Sequence, residues 1–208
     1  MALDKDEVGS RVLDIAEDLL NEGGAINLKA RTIAEKAGIA VGSIYNLYGD
    51  LDGLHLAVNL RLLDRLAEAG MRTMGEIRSS RVTDTKGRLL ALARTYVDYV
   101  AAHPQSWAAL LAFSPSRIEP VRREDYMGRL DGLFGIITQV LLDDRKLALD
   151  EEECVLNARI LWSSVHGIVT NGASSRSTAP EEETWRQVDH LVTVYLAGLE
   201  RHPGRSTH

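Results

Sequence analysis

Side chains able to do covalent or metal chemistry are sparse and scattered in this chain. His103, His166, His190, Cys154 and the acids of LDEEEC, residues 149–154, are among the groups that could act as bases, nucleophiles or ligands. None has the spacing such chemistry needs. A His-Glu-x-x-His repeat, which puts two imidazoles on one helical face, is absent, as are a glycine-rich phosphate loop and a nucleophile elbow. The run Asp150 to Glu153 suits the first turn of a helix, where carboxylates meet the positive end of the macrodipole. Cys154 is the single cysteine, so it forms no internal disulfide and builds no zinc site alone; it is expected as a small buried apolar residue. The expectation is a protein with no metal, no cofactor and no enzymatic activity.

A second kind of chemistry is concentrated in IAVGSIYNLYGDLDGL, Ile39 to Leu54. Here serine, asparagine and two tyrosines, Ser43, Tyr45, Asn46 and Tyr48, are interleaved with apolar residues at helical spacing. Such groups hydrogen-bond a partner without carrying charge. Their use depends on which elements hold them.

The pattern around that stretch is helical, with no β-branched alternation between hairpin turns. Val8, Val12, Ile15, Ala16 and Leu19 share a face over about residues 7–22, and Gly23-Gly24 ends the helix. Two short apolar patterns follow, Ala30 to Ala37 and Val41 to Tyr48, joined by a turn at Gly38 that holds two helices at a steep angle. Asp50 is placed to cap a longer helix starting at Leu51. Polar RSSRVTDTKG, residues 78–87, is expected as a loop. Further helices are expected over about 88–102, 106–113 and 122–142, with His103-Pro104 and SPSRIEP as breaks. Two regular helices close the chain, one carrying Val155, Ala158, Trp162, Val165 and Val169, the other Trp185, Val188, Val192, Tyr195 and Leu199. The GASSRSTAP segment between them is expected as an exposed linker. Apolar residues on a second side, Leu161 and Ile168, call for a partner helix pair, as in a four-helix dimer interface.

Bulk properties narrow the class. With 208 residues, 45% hydrophobic, the chain can bury a substantial core. No run approaches the roughly 18 to 20 apolar residues of a membrane span, and the first residues, MALDKDEVGS, are acidic and polar, so a cytoplasmic protein with no membrane partner is expected. A net charge of -6 argues against a protein that coats nucleic acid through lysine and arginine, but leaves room for a small local reading face.

Arg31 to Leu54, RTIAEKAGIAVGSIYNLYGDLDGL, with the helix before it, resembles the TetR family of transcriptional regulators. Ile33-Ala34, Ala37-Gly38, Ile39, Gly42, Tyr45, Tyr48 and Leu54 stand at family positions. The resemblance implies an all-α protein of about nine helices. Residues 1–53 would form a three-helix, helix-turn-helix DNA-binding domain, 54–201 a helical ligand-sensing and dimerisation domain, and 202–208 a flexible tail. It implies a homodimer on a palindromic operator in double-stranded DNA, acting as a repressor released by a small-molecule effector. The alternative is a helical ligand-binding protein or enzyme whose head no longer reads DNA.

On that resemblance the second short helix enters the major groove by its N-terminal end. Val41 would touch a thymine methyl, Gly42 would allow close approach and Ser43 would hydrogen-bond a base edge. Tyr45 and Tyr48 would pack an aromatic body on the core or sugar and reach phosphate through their hydroxyls, with plain core packing the alternative for Tyr48; Asn46 would be a further polar reader, and Arg31 a phosphate contact. The chain departs from the family at Leu47, where histidine is common, at Leu51, where lysine is common, and at Lys29, where serine or threonine is usual. Either affinity is modest with a shallow salt slope, or other donors compensate.

LWSSVHGIVTNGA, Leu161 to Ala173, is similar to the C-terminal domain of a TetR subgroup named for Trp, His and Gly, here Trp162, His166 and Gly167. A glycine inside a helix costs roughly 1 kcal/mol relative to alanine, so Gly167 suggests close approach of another helix or a ligand. Candidate pocket residues are Tyr96, Tyr99, Trp107, Phe113, Tyr126, Phe134, Trp162 and His166. Core packing competes with a pocket role for each of them.

Overall fold

The computed structural model describes residues 5–79, 84–113, 120–174 and 181–201. Among them the regular structure is helical throughout: α1 (Lys5–Gly23), α2 (Ala30–Ala37), α3 (Val41–Tyr48), α4 (Leu51–Ser79), α5 (Thr85–Ala102), α6 (Pro104–Ala112), α7 (Pro120–Leu142), α8 (Glu151–Ser174) and α9 (Glu181–Arg201). A 3-10 turn, Ala25–Asn27, that periodicity does not indicate lies between α1 and α2. The expected all-α architecture is therefore observed. The RSSRVTDTKG segment is less of a loop than its polarity suggests, since α4 runs to Ser79 and α5 starts at Thr85. Residues 80–83, most of the SPSRIEP break, residues 175–180 of the expected linker and the tail 202–208 lie outside the described residues.

Local signals set the helix ends. Gly38 adopts the left-handed conformation (φ 67°, ψ 35°), its amide donates to the Glu35 carbonyl, and the next amide, of Ile39, donates to Ala34 at 3.0 Å. That paired arrangement closes α2 and starts the turn into α3. Asp50 caps α4 as expected: its Oδ1 accepts the Gly53 amide at 2.6 Å. At α8 the Asp150 carboxylate accepts the Glu153 amide (2.8 Å) while the Glu153 carboxylate accepts the Asp150 amide (3.0 Å). The acidic run is thus a reciprocal helix cap. Pro104 sits in the first turn of α6, where no amide hydrogen is required.

The helices form two compact units, Met1–Arg65 with Val100–Arg129, and Leu66–Tyr99 with Leu130–His208. The first contains the head expected at 1–53 together with the start of α4, the end of α5, α6 and the first half of α7. Its core joins Val12, Ala16 and Leu20 of α1 to Ile33 and Ala34 of α2, Ile44 of α3, Leu54 and Val58 of α4 and Ala109 of α6. Alanine at 34 and 37 lets α3 pack closely on α2. A buried carboxylate, Glu17 of α1, is paired with Arg61 and Arg65 of α4, and Asp14 also pairs with Arg61.

The second unit is built on Met74, Leu89, Val140, Leu141, Leu147, Cys154, Ala158, Leu161 and Val192. Cys154 is buried there, as expected, and burial with Asp150 and Glu153 nearby pushes its thiol pKa up. Val155, expected on the inner stripe of α8, is exposed, and with Leu156 and Ile160 it forms an outer apolar surface. The inner face of α8 is centred instead on Ala158, Leu161, Val165 and Val169, which places Val155 beyond its edge.

Candidate functional site

Helix α3 divides cleanly into two faces. Ile44 is fully buried in the core of its unit, with Leu47 and Tyr48 packed partly against it. Val41 (39% exposed), Gly42, Tyr45 (45%) and Asn46 face outward, and Ser43 is half-buried between the faces. Spacing explains the division: Ile44, Leu47 and Tyr48 recur at three and four, leaving Val41 and Tyr45 on the far side. A Cβ added at Gly42 would meet nothing within 4 Å, so the protein's own packing does not require glycine there. The N-cap, Ala40, is extended and offers no side-chain cap to the first amides of α3. Arg31 lies exposed on α2. The structure thus brings the exposed Val41, Gly42, Tyr45 and Asn46 together with Ser43 at one end of one helix.

Tyr48 has different surroundings from Tyr45. Its hydroxyl donates to the Gly9 carbonyl of α1 at 2.8 Å, and burial raises its pKa, opposed in part by Arg61. Its own carbonyl accepts a hydrogen bond from Arg122 Nη1 of α7 at 3.2 Å. Sequence reasoning missed Arg122, because it lies 74 positions from its partner and no local pattern marks it.

The pocket candidates separate between the two units. Tyr96, Phe134, Trp162 and His166 come together in the second. Tyr96 Oη and His166 Nδ1 are 2.7 Å apart, the Trp162 and His166 rings are stacked (15° between planes, centroids 6.1 Å), and Phe134 meets Trp162 edge-on. Tyr96 and Trp162 line a cavity of about 60 Å³, walled otherwise by Gly70, Thr95 and aliphatic residues such as Leu66, Leu89, Ile136 and Val165. Burial lowers the pKa of His166, favouring the neutral ring. Tyr96 gives this histidine a polar partner among apolar neighbours. Tyr99 is half-buried in the same unit.

Trp107, Phe113 and Tyr126 belong to the other unit, with α6 and the first half of α7. Trp107 and Tyr126 are buried there, and the Phe113 ring packs edge-on against His55, 5.0 Å between centroids. Periodicity identifies a buried face without saying which core it enters. Gly167 also differs from expectation: a Cβ there would meet nothing within 4 Å among the described residues.

Two buried polar groups on α4 carry no sequence signal. Asn59 is 1% exposed and neither its Oδ1 nor its Nδ2 has a hydrogen-bond partner among the described residues. His55, one turn earlier, has a buried Nε2 in the same condition, and burial lowers its pKa against the opposing charge of Asp52. Among the described residues no group of three or more histidine, cysteine or acidic side chains could hold a metal, and no helix is long and apolar enough to cross a membrane.

Comparison with known proteins bears on this arrangement. The family model described as "Tetracyclin repressor-like, C-terminal domain" matches residues 89–195. An uncharacterised HTH-type transcriptional regulator of Mycobacterium tuberculosis is 24% identical over 197 residues, 95% of this chain and 82% of that protein. A putative TetR-family transcriptional regulator from Mesorhizobium loti superposes with a TM-score of 0.69 at 16% identity, covering 94% of this chain and 98% of that one. The fatty acid degradation regulator FadR from Bacillus halodurans superposes at 0.66 and 17% identity, covering 91% and 98%.

Proposed function

The chain belongs to the tetracyclin repressor-like family of DNA-binding transcriptional regulators, and from that premise we propose that α3 is its DNA-reading helix, used in pairs by a homodimer on a palindromic operator. The observation that carries the reading is the division of α3. Its inner face is fixed by Ile44, while Val41, Gly42 and Tyr45 are exposed with Ser43 beside them. Val41 contacts a thymine methyl, Ser43 hydrogen-bonds a base edge, and Gly42, which the fold does not need, lets the backbone approach the groove. Tyr45, Asn46 and Arg31 contact the sugar-phosphate backbone or adjacent base edges, while Tyr48, whose hydroxyl is committed to the Gly9 carbonyl, holds α3 in place instead of reaching phosphate. A neutral reading face suits a chain of net charge -6.

The second unit senses an apolar or amphipathic effector. The cavity beside Tyr96 and Trp162, about 60 Å³, is well below the about 300–1,000 Å³ of pockets that hold drug-sized ligands. Effector entry therefore requires the helices around it to move apart, which makes binding and conformational change one event. Effector-bound dimers hold their reading helices away from the roughly 34–36 Å half-site spacing, so DNA is released and the protein acts as a repressor. The exposed apolar surface of Val155, Leu156 and Ile160 on α8 supports dimerisation. The protein is cytoplasmic and performs no catalysis.

The test is selection of bound duplexes from a random library, with the wild-type protein and with a Ser43→Ala, Tyr45→Ala double variant. A palindromic motif enriched by the wild type and lost by the folded double variant is expected. Identical enrichment by both proteins, or none from a folded wild-type dimer, overturns the reading of α3.

A further inference from the structure

We propose that Arg122, although it lies outside the helix-turn-helix, is a positioning residue for DNA reading: it pins the C-terminal end of α3 through the Tyr48 carbonyl. The proposal rests on the assignment of α3 as the reading helix. At eight residues α3 is too short to hold its own geometry in water and depends on what surrounds it. Its last carbonyls have no partner within the helix. The Gly49 amide satisfies Tyr45 at 2.8 Å, and Arg122 Nη1 satisfies Tyr48 at 3.2 Å. A guanidinium there also meets the negative end of the α3 dipole.

Two glycines make the niche that admits it. Gly49 has φ 83°, which lets the chain turn sharply out of α3, and a Cβ there would lie 3.4 Å from Arg122 Nη2. Gly53 is buried in the first turn of α4, and a Cβ there would collide with both the Tyr48 carbonyl oxygen and Arg122 Nη1. Any other residue at 53 has to shift the Tyr48 carbonyl and the Arg122 guanidinium from these positions. On the opposite side the Tyr48 hydroxyl is held by Gly9 of α1. The final residue of α3 is thereby fixed at two atoms, one by α1 and one by α7, which sets the rotation of Tyr45 and Ser43 toward DNA.

The test uses full-length Arg122→Gln, Arg122→Lys and Gly53→Ala. Hydrogen exchange in the free proteins is followed across the α3–α4 turn. Affinity for the wild-type operator is measured over a range of salt. Loss of a charge-assisted bond predicts faster exchange at the turn and about tenfold weaker binding in Arg122→Gln and Gly53→Ala, with the slope of affinity against salt unchanged. Arg122→Lys, which retains a cationic donor, recovers part of the loss. Unchanged exchange at the turn in Arg122→Gln overturns the pin. A salt slope reduced by about 0.9 makes Arg122 a direct phosphate contact and overturns the positioning role. Should the wild type select no duplex, the DNA-reading assignment fails, and exchange at the turn still decides whether Arg122 holds α3.

Discussion

The hydroxyl of Tyr48 donates a hydrogen bond to the Gly9 carbonyl oxygen, 2.8 Å away across the first unit. Tyr45, three residues earlier on the same helix, is exposed. The two tyrosines that look equivalent in sequence therefore have different duties. Tyr48→Phe removes a partly buried bond and is expected to cost about 1 kcal/mol of stability. Tyr45→Phe is expected to leave stability unchanged and to weaken binding to many DNA sequences alike. Denaturant titration of both variants, paired with binding to several duplexes, checks the assignment; a destabilised Tyr45→Phe with an unaffected Tyr48→Phe would reverse it.

Asn59 buries an amide that no described group satisfies. Replacing such a group with an apolar one of similar shape removes a desolvation penalty, so Asn59→Leu is expected to raise stability by about 1 kcal/mol. The thermal midpoint of the variant is the measurement. A fall instead means that an internal water or ligand holds the amide.

Glu17 is buried while its partners Arg61 and Arg65 are partly exposed. Glu17→Gln leaves Arg65 facing a group that no longer balances it, while Arg61 keeps its pair with Asp14. Because solvent screens both arginines, the expected loss is about 2 kcal/mol, below that for a fully buried pair. Urea unfolding should show a lower midpoint with an unchanged slope. An unaltered midpoint would mean that the pairs contribute no net stability.

His166 gives the stability a pH dependence. Its pKa in the folded protein lies below the ordinary 6.5 because burial disfavours the charged ring. Above that ordinary value the ring is neutral in both folded and unfolded chains. As pH falls through it, the unfolded chain takes up a proton that the folded ring resists, so stability drops until pH passes below the folded value. His166→Gln, which can still bond Tyr96, is expected to lose less stability than the wild type between about pH 8 and pH 5. An equal or larger loss in the variant contradicts this. His55 is shifted in the same direction, with Asp52 opposing, and the double variant should lose less still.

Sequence alone determined what neighbouring residues decide among themselves. Gly38 closes α2, Asp50 caps α4, and Asp150 with Glu153 caps α8, each through partners no more than about four positions away, a reach that helical periodicity and capping chemistry describe fully. The spacing of Ile44 and Leu47 likewise fixed which side of α3 turns inward, whereas the docking of α1 decided that the Tyr48 hydroxyl goes to Gly9 and not outward. Only tertiary structure decided which core each inward face enters. Trp107, Phe113 and Tyr126 have the same aromatic character as Tyr96 and Trp162 but lie in the other unit, because α6 and half of α7 pack with the head. The bonds of Arg122 with Tyr48 and Tyr96 with His166 join residues 74 and 70 positions apart. Such pairings depend on how whole helices dock, and docking is set by the summed burial of many side chains, which no window of sequence contains.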